Sequence, residues 1–420
     1  MKVEFTMQKE VIVIGAGMVG TSVAWHLQKN GTKVLMLDKR APGSETSYGN
    51  AGLIQREAVH VHGFPRKLED IVRVLPNTAP DIRYRLTGII KYWDPLFKYW
   101  LNSSDEKIAS IDKEWATLIQ HSTSEHEYMI NASEAQDLVR KVGWIAMYRS
   151  ESKLNDAVKT ARELTDKGIE YKVLTRDELS LLEPNVDLKG FVGAIHWKNS
   201  WQVVDPGALV KAYAKNFETM GGGFQQCIVQ SLSKAGDIWQ VNTDCGLFEA
   251  KKVVVAAGPW STELTEPLGY SIPLFPMRGY HQHFRIEEKD KINHSLVDMD
   301  NGFVMGPMRQ GIRVTTGAEM TPIDAPKRFE QINQIIQRAR QLVNLGDVVE
   351  EEAWCGSRPC LPDMKPIIGP ASKHEDLWMA FGHGHQGFTL GPITGRLIEQ
   401  MINNKTLTVN PQPFKCSRFT

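Results

Sequence analysis

Gly15, Gly17 and Gly20 stand in the spacing Gly-x-Gly-x-x-Gly, between an unbroken apolar run at 11–14 and a stretch of helical periodicity at 21–30. A second apolar run ends on Asp38, eighteen positions after Gly20. This arrangement can hold the pyrophosphate of a dinucleotide. The first glycine permits the tight turn, the second lets phosphate approach the backbone, and the third lets the helix pack closely on the strand. The helix start offers free N–H groups to the phosphates. Asp38 is placed to accept hydrogen bonds from ribose hydroxyls, and its charge disfavours a 2′-phosphate, so NADP is the least favoured nucleotide.

Two further segments bear on the choice between FAD and NAD. Residues 43–52 (GSETSYGNAG) form a small-residue loop just after Asp38, and residues 253–261 (VVVAAGPWS) form a buried-type strand ending in small residues. Both favour FAD, because an extended flavin can lie against such backbone. Composition alone does not bring the two segments to one cofactor.

The elements that must position these groups follow from periodicity. Residues 11–38 make one strand–helix–strand unit. Residues 114–128 and 132–140 read as polar helices, 155–167 as a helix of a nucleotide-binding domain, and 169–174 as its following strand. Asp205-Pro206 opens a helix through Phe217. Gly221-Gly222-Gly223 leads into alternating strands, and 272–316 reads as an antiparallel sheet. Residues 328–345 are amphipathic, and 377–381 read as a buried strand running into Gly382-His383-Gly384-His385-Gln386-Gly387 before a helix at 393–402. Nucleotide-type elements thus recur at the start, middle and end, so the domains are discontinuous. The expected division is 8–60, 153–182, 205–265 and 355–408 for the nucleotide-binding domain, and 61–152, 183–204 and 266–354 for a substrate or cap domain.

The chain has 420 residues with 49 basic and 49 acidic side chains, which speaks against a nucleic-acid partner. Its five cysteines are scattered and include no C-x-x-C pair, so neither a disulfide framework nor a metal site is expected. Residues 1–10 lack the apolar core of a secretory signal, and no apolar run approaches membrane-spanning length. A cytoplasmic location is the simplest expectation. Residues 88–101 (GIIKYWDPLFKYWL) are aromatic and partly basic. They read first as a helical cap on the substrate domain and second as a peripheral contact with the inner face of the cell membrane. Oligomeric state is left open.

Five motifs occur in order: the glycine fingerprint, E-T-S-x-G-N-A-G at 45–52, V-V-A-A-G-P-W-S at 254–261, G-S-R-P-C-L-P-D-M-K-P-I-I-G at 356–369, and G-H-G-H-Q-G-F-T-L-G-P at 382–392. Together they resemble the D-amino-acid oxidase/glycine oxidase superfamily of flavoproteins. Within it the chain is most similar to bacterial D-amino-acid dehydrogenases, including the D-hydroxyproline dehydrogenase-like branch, over residues 11–402. The resemblance implies an α/β fold, with a Rossmann-like FAD-binding domain interleaved with an α+β substrate domain built on an antiparallel sheet. It implies FAD contacts from Gly15, Gly17, Met18, Val19, Gly20, Asp38 and Lys39, and from Ser44, Ser47, Asn50, Ala51, Gly52 and Leu53 of the small-residue loop. Val229 matches an adenine-contacting position, and Ala257, Gly258 and Trp260 a second turn. His383, Gly384, Gly387, Phe388 and Thr389 match a loop over the pyrimidine edge of the flavin. No cysteine falls in that loop, so the FAD is expected to be noncovalent.

The resemblance also assigns Arg358, in Trp354-Cys355-Gly356-Ser357-Arg358-Pro359, to the substrate carboxylate. A rigid guanidinium fork suits that group through two parallel hydrogen bonds. His385 and Gln386 are expected beside the substrate or, equally, as groups that only orient the loop. Tyr280 and Phe303 are expected on strands walling the pocket, with apolar core an equal reading for Phe303. His60 and His62 read first as solvated turn residues and second as lining the site. The implied reaction is hydride transfer from Cα of a small zwitterionic amino acid to flavin N5. The product is an imine that hydrolyses to a 2-oxo acid, and quinone or O2 takes the electrons. Rival readings are oxidation of glycine, sarcosine or an L-amino acid, an NAD-linked dehydrogenase, and a noncatalytic FAD-binding electron-transfer subunit.

Overall fold

The computed structural model describes residues 9–419. Val11, Ile12, Val13 and Ile14 are all buried, as a strand covered on both faces requires. Strand Lys9–Ile14 lies between Val34–Asp38 and Gly246–Val255, and pairs with both in parallel. Gly223–Gln226 extends the sheet beyond Val34–Asp38, and Leu377–Phe381 extends it beyond Gly246–Val255, again in parallel. Helix Met18–Lys29 makes the crossover, giving a Rossmann-like layer. It packs against the C-terminal helix Gly387–Ile402 and helix Pro206–Thr219. Asp205 caps the last of these, accepting the Ala208 N–H at 2.9 Å.

A second sheet runs in the order Tyr171–Thr175, Gly193–Trp197, Trp144–Tyr148, Ser295–Asp298, Phe303–Met308, Gly311–Thr315, Phe275–Phe284, Ala318–Met320, Ile82–Tyr84. Trp354–Cys360 pairs antiparallel along Phe275–Phe284. The expected antiparallel sheet at 272–316 is the middle of this layer. Two parallel joins extend it, from Ser295–Asp298 to Trp144–Tyr148 and from Ala318–Met320 to Ile82–Tyr84. One face buries Ile145, Leu296, Phe303, Met305 and Val314 with Ile335 of helix Glu330–Arg340. The other face turns toward the first sheet.

Three sequence expectations are corrected. Residues 132–140 are not an α-helix and hold only a 3₁₀ turn at Gln136–Leu138. The preceding helix ends at Ala132, Glu134 takes a left-handed φ of 52°, and Val139–Arg140 pairs with Trp201–Val203. Segment 153–182 does not extend the parallel sheet, because Tyr171–Thr175 pairs antiparallel with Gly193–Trp197 in the second sheet. Its Lys172 and Thr175 mark an exposed edge strand rather than a buried interior one. Residues 355–360 likewise belong to the second sheet, and the chain rejoins the first only at Ile367–Pro370.

Three buried histidines clasp the C-terminal helix. His126 Nε2–H donates to Phe388 O (2.9 Å) while its Nδ1 accepts the Tyr213 hydroxyl (3.0 Å). His383 Nε2 pairs with Thr394 Oγ1 at 2.9 Å, and His26 lies against Gly395. Burial lowers all three, to about 4 for His126 and about 3 for His383 and His26. Unfolded histidines protonate near ~6.5, so below that pH the unfolded chain binds more protons than the folded one. Stability therefore falls as pH drops from ~6.5 toward ~4, by up to about 1.4 kcal/mol per pH unit for each histidine. Urea midpoints at pH 7 and pH 5 measure this, and the midpoint is expected to be lower at pH 5.

The fingerprint glycines separate two effects. A Cβ at Gly20 would lie 1.9 Å from the Gly15 carbonyl oxygen, whereas one at Gly17 would meet only the Ser47 hydroxyl, at 3.2 Å. Gly20→Ala is expected to cost about 1–3 kcal/mol in urea titration. Gly17→Ala should stay within about 0.5 kcal/mol of wild type.

Candidate active site

A cavity of about 1300 Å³ runs between the two sheets. At one end it is built from strand termini of the first sheet. Gly15 has φ 114°, and a Cβ there would lie 2.3 Å from the Ala256 carbonyl oxygen. Helix Met18–Lys29 starts at Gly17 with no side-chain cap and no acidic residue in its first turn. Ser47 Oγ accepts the Met18 N–H at 2.8 Å, which ties the small-residue loop to the helix start. Asp38 accepts N–H groups of Ala16 (2.6 Å) and Arg40 (3.0 Å) and keeps further lone pairs for hydroxyl donors. Burial pushes its carboxyl above the ordinary value, partly offset by those N–H groups. Lys39 Nζ sits 3.5 Å from the Trp260 ring centroid, and Val229 borders the same end. Gly258 has φ 57° and open space where a Cβ would point. A helix start free of acidic residues, a carboxylate and glycine-lined walls together fit a dinucleotide.

The small-residue loop then passes beneath the second sheet. Asn50 Oδ1 accepts the N–H groups of Gly52 (2.8 Å) and Leu53 (3.2 Å), closing its turn. Arg313, which sequence reasoning missed, holds the loop from above. It is 2% exposed and donates to the carbonyl oxygens of Tyr48 (2.8 Å) and Asn50. Its Nε–H donates to His283 Nε2 at 2.9 Å, and His283 in turn meets Glu350. Burial lowers the Arg313 pKa to about 10, with Tyr48, Asp205 and Glu350 opposing. The sequence signal was slight: one arginine in an apolar strand, Gly311–Thr315. The fold also gathers His281, His283 and Glu350, with ligand atoms within 4.8 Å of one another, though no Cys/His cluster was visible in sequence. Hydrogen bonds already engage both ring nitrogens of His283.

Arg358 enters the cavity from strand Trp354–Cys360. Its guanidinium donates to Gly317 O (2.7 Å) and Thr316 O (3.4 Å), and a Cβ at Gly279 would lie 2.8 Å from its Nη2. Among the described residues no carboxylate pairs with it, and burial pulls its pKa below the ordinary guanidinium value. His62 and His385 face each other with ring centroids 4.8 Å apart. Both border the cavity, and desolvation there lowers both, His385 well below the usual imidazole value. His62 thus lines the cavity while its side chain stays exposed. His60 also borders the cavity, paired through Nδ1 with Asp112 at 2.6 Å.

Most expected residues are brought together. Gly15, Gly17, Met18, Val19, Asp38, Lys39, Ser47, Asn50, Ala51, Leu53, Val229, Ala257, Gly258, Trp260, His383, Gly384, His385, Gly387, Phe388 and Arg358 all border one cavity. Gly20, Ser44, Gly52 and Thr389 do not. Gly20 packs helix on strand, Gly52 adopts φ 75° beneath Met308, and Thr389 Oγ1 joins the backbone at Leu53 and Gln55. One expectation is corrected by strand alternation. Phe303 is 1% exposed in the core on the far face of its sheet, and its neighbour Val304 borders the cavity instead. Tyr280 borders the cavity, but its side chain packs with Ile332 and Ala353 and its hydroxyl donates to Glu319 at 2.7 Å. Gly279 is the residue beneath Arg358.

Comparison with known proteins agrees with this geometry. A D-amino acid dehydrogenase of Chromohalobacter salexigens is 27% identical over 431 residues, covering 98% of this chain and 99% of that protein. A D-amino-acid oxidase of Bradyrhizobium diazoefficiens is 27% identical over 98% of this chain and 99% of its own length. The glycine oxidase structure from Geobacillus kaustophilus superposes with a TM-score of 0.76 at 20% identity, covering 99% of this chain and 100% of that one. A family profile described as FAD dependent oxidoreductase matches residues 10–401. With the nucleotide cradle, the loop beneath the second sheet and the arginine-bearing strand all inside that match, the chain belongs to the FAD dependent oxidoreductase family.

Proposed function

We propose that this FAD-dependent oxidoreductase oxidises the Cα–N bond of a small amino acid, of the D-amino-acid or D-proline type. The observation that carries this reading is Arg358, a half-buried guanidinium at the cavity wall that meets only carbonyl acceptors among the described residues. Such a charge is stabilised by an anionic ligand group, and a carboxylate matches its fork. The names of the two curated relatives support the D-amino-acid class.

Arg358 holds the carboxylate through two parallel hydrogen bonds and so fixes the direction of the Cα–H bond. His62 and His385 border the cavity, where desolvation favours their neutral form, and can accept hydrogen bonds from the amino group without adding a second positive charge. When bound, FAD supplies the two-electron acceptor. With the amine unprotonated, Cα–H leaves as hydride and the nitrogen lone pair forms the C=N bond. Water then hydrolyses the imine to a 2-oxo acid and ammonia, while a cyclic imino acid leaves a cyclic imine.

The segment 88–101 supports a membrane-facing role and a quinone as acceptor. Leu96 and Tyr99 are buried against the body of the protein, while Ile90 (72% exposed), Trp93 (64%) and Phe97 (52%) point outward. Lys91 flanks them, while Lys98 pairs with Asp94 at 2.8 Å, so the contact is chiefly apolar and aromatic. No helix among the described residues is long and apolar enough to cross a membrane.

Arg358→Ala is expected to lower kcat/KM for the preferred amino acid by roughly 30- to 1000-fold, the loss of about 2–4 kcal/mol, while FAD stays bound. Anaerobic flavin bleaching against a panel of D- and L-amino acids and proline derivatives measures this. Unchanged kinetics would remove Arg358 from the site. Wild-type protein should sediment with vesicles containing phosphatidylglycerol, and a Trp93→Ser/Phe97→Ser variant should stay in the supernatant. Wild-type protein remaining in solution would overturn the membrane reading.

A further inference from the structure

Glu57 lies in the cavity wall, 7% exposed, with no basic side chain paired to it among the described residues. Three donors surround it. Trp144 Nε1–H reaches Oε1 at 2.8 Å, Gln55 Nε2–H reaches the same oxygen at 2.9 Å, and the Ser200 hydroxyl meets Oε2. These donors come from three places: the second sheet, the end of the small-residue loop, and the turn before strand Trp201–Val203. Burial pushes the Glu57 carboxyl up, and the hydrogen bonds pull it back. An indole N–H can only donate, and an ionised carboxylate can only accept.

That chemistry propagates. With Nε2 turned toward Glu57, Gln55 must turn Oε1 the other way, where Gln386 Nε2–H donates to it at 2.8 Å. Gln386 is thereby obliged to point its own Oε1 away from Gln55. This oxygen is buried without a partner, on a residue that borders the cavity between His385 and Gly387. Exchanging oxygen and nitrogen in either amide would set a carbonyl against the carboxylate or a second carbonyl. One carboxylate therefore fixes the polarity of two successive amides.

We propose that Glu57 is a positioning residue that acts through Gln55 to orient the Gln386 amide, leaving its carbonyl oxygen for an N–H donor of the bound ligands. The donor chemistry fits either the imide N–H of the flavin ring or the ammonium of the amino acid. This inference rests on the reading that FAD and an amino acid share the cavity.

The test uses Glu57→Gln, which keeps the shape but removes the acceptor-only group, and Gln55→Leu, which cuts the path and leaves the carboxylate. Two quantities are read: the FAD dissociation constant of the apoprotein, by quenching of flavin fluorescence, and KM for the preferred amino acid with the holoenzyme. Each variant is expected to weaken one of these roughly tenfold, and the double variant by no more than the larger single effect, because both lie on one path. A loss of FAD affinity identifies the imide donor, and a rise confined to KM identifies the ammonium. Additive effects, or a Gln55→Leu protein indistinguishable from wild type, would overturn the proposal. Gln55→Leu with Gln386→Leu gives the same cycle if Glu57→Gln does not fold. A wild-type protein that binds FAD but is bleached by no amino acid would instead count against the function proposed above.

Discussion

The close approach of three backbone segments at Gly15 governs the rest of the molecule. Its carbonyl oxygen lies where a methyl on Gly20 would need to be, and its own missing Cβ leaves room for the carbonyl of Ala256. Ala256 N–H donates to Ile14 O at 2.8 Å, and Gly15 N–H donates to Leu37 O at 2.8 Å, so three strand ends are locked in one plane. The helix start, Asp38 and the turn at Ala257 and Gly258 all hang from these ends. Any side chain at Gly15 or Gly20 would separate helix from strand, and the phosphate cradle would lose its geometry.

The second sheet gives this cradle a direction. Arg313 reaches down to the carbonyl oxygens of Tyr48 and Asn50, so the loop that leaves the nucleotide end is gripped from the opposite layer. Trp144 does the same through Glu57 a few residues later. These contacts are polar and buried, where hydrogen bonds are strong and an unmet partner is expensive. The loop therefore cannot drift without leaving charged groups unpaired. That explains how a segment with almost no regular secondary structure holds a defined path between two sheets.

Much of this was legible in the sequence, and the failures have a common cause. The βαβ unit, the buried strands, the helix through Phe217 and the helix at 393–402, which in fact begins at Gly387, are local patterns, and local periodicity reports them. Pairing partners are not local. Segment 153–182 has the right helix and strand, but only its exposed, charged edge told which sheet it joined. Phe303 fell on the right strand and the wrong face, since a one-residue difference in strand phase moves a side chain to the opposite side. Arg313 and Glu57 gave little signal because key partners, Tyr48 for the one and Trp144 for the other, lie more than eighty residues away in sequence.

The charge arithmetic gains meaning from the cavity. The chain carries equal numbers of acidic and basic residues, yet the cavity keeps charges that have no ion-pair partner among the described residues. There the Asp38 carboxylate meets backbone N–H groups and Arg358 meets carbonyls. Burying such groups is unfavourable unless a ligand completes them. Their signs are ordered along the cavity: a carboxylate where ribose hydroxyls would donate, a helix start where phosphates would sit, and a guanidinium at the far end for a carboxylate. A bound dinucleotide and a zwitterion would satisfy this pattern in that sequence. A neutral surface leaves no broad field to attract a polymer, so selection among small ligands falls to these few buried charges.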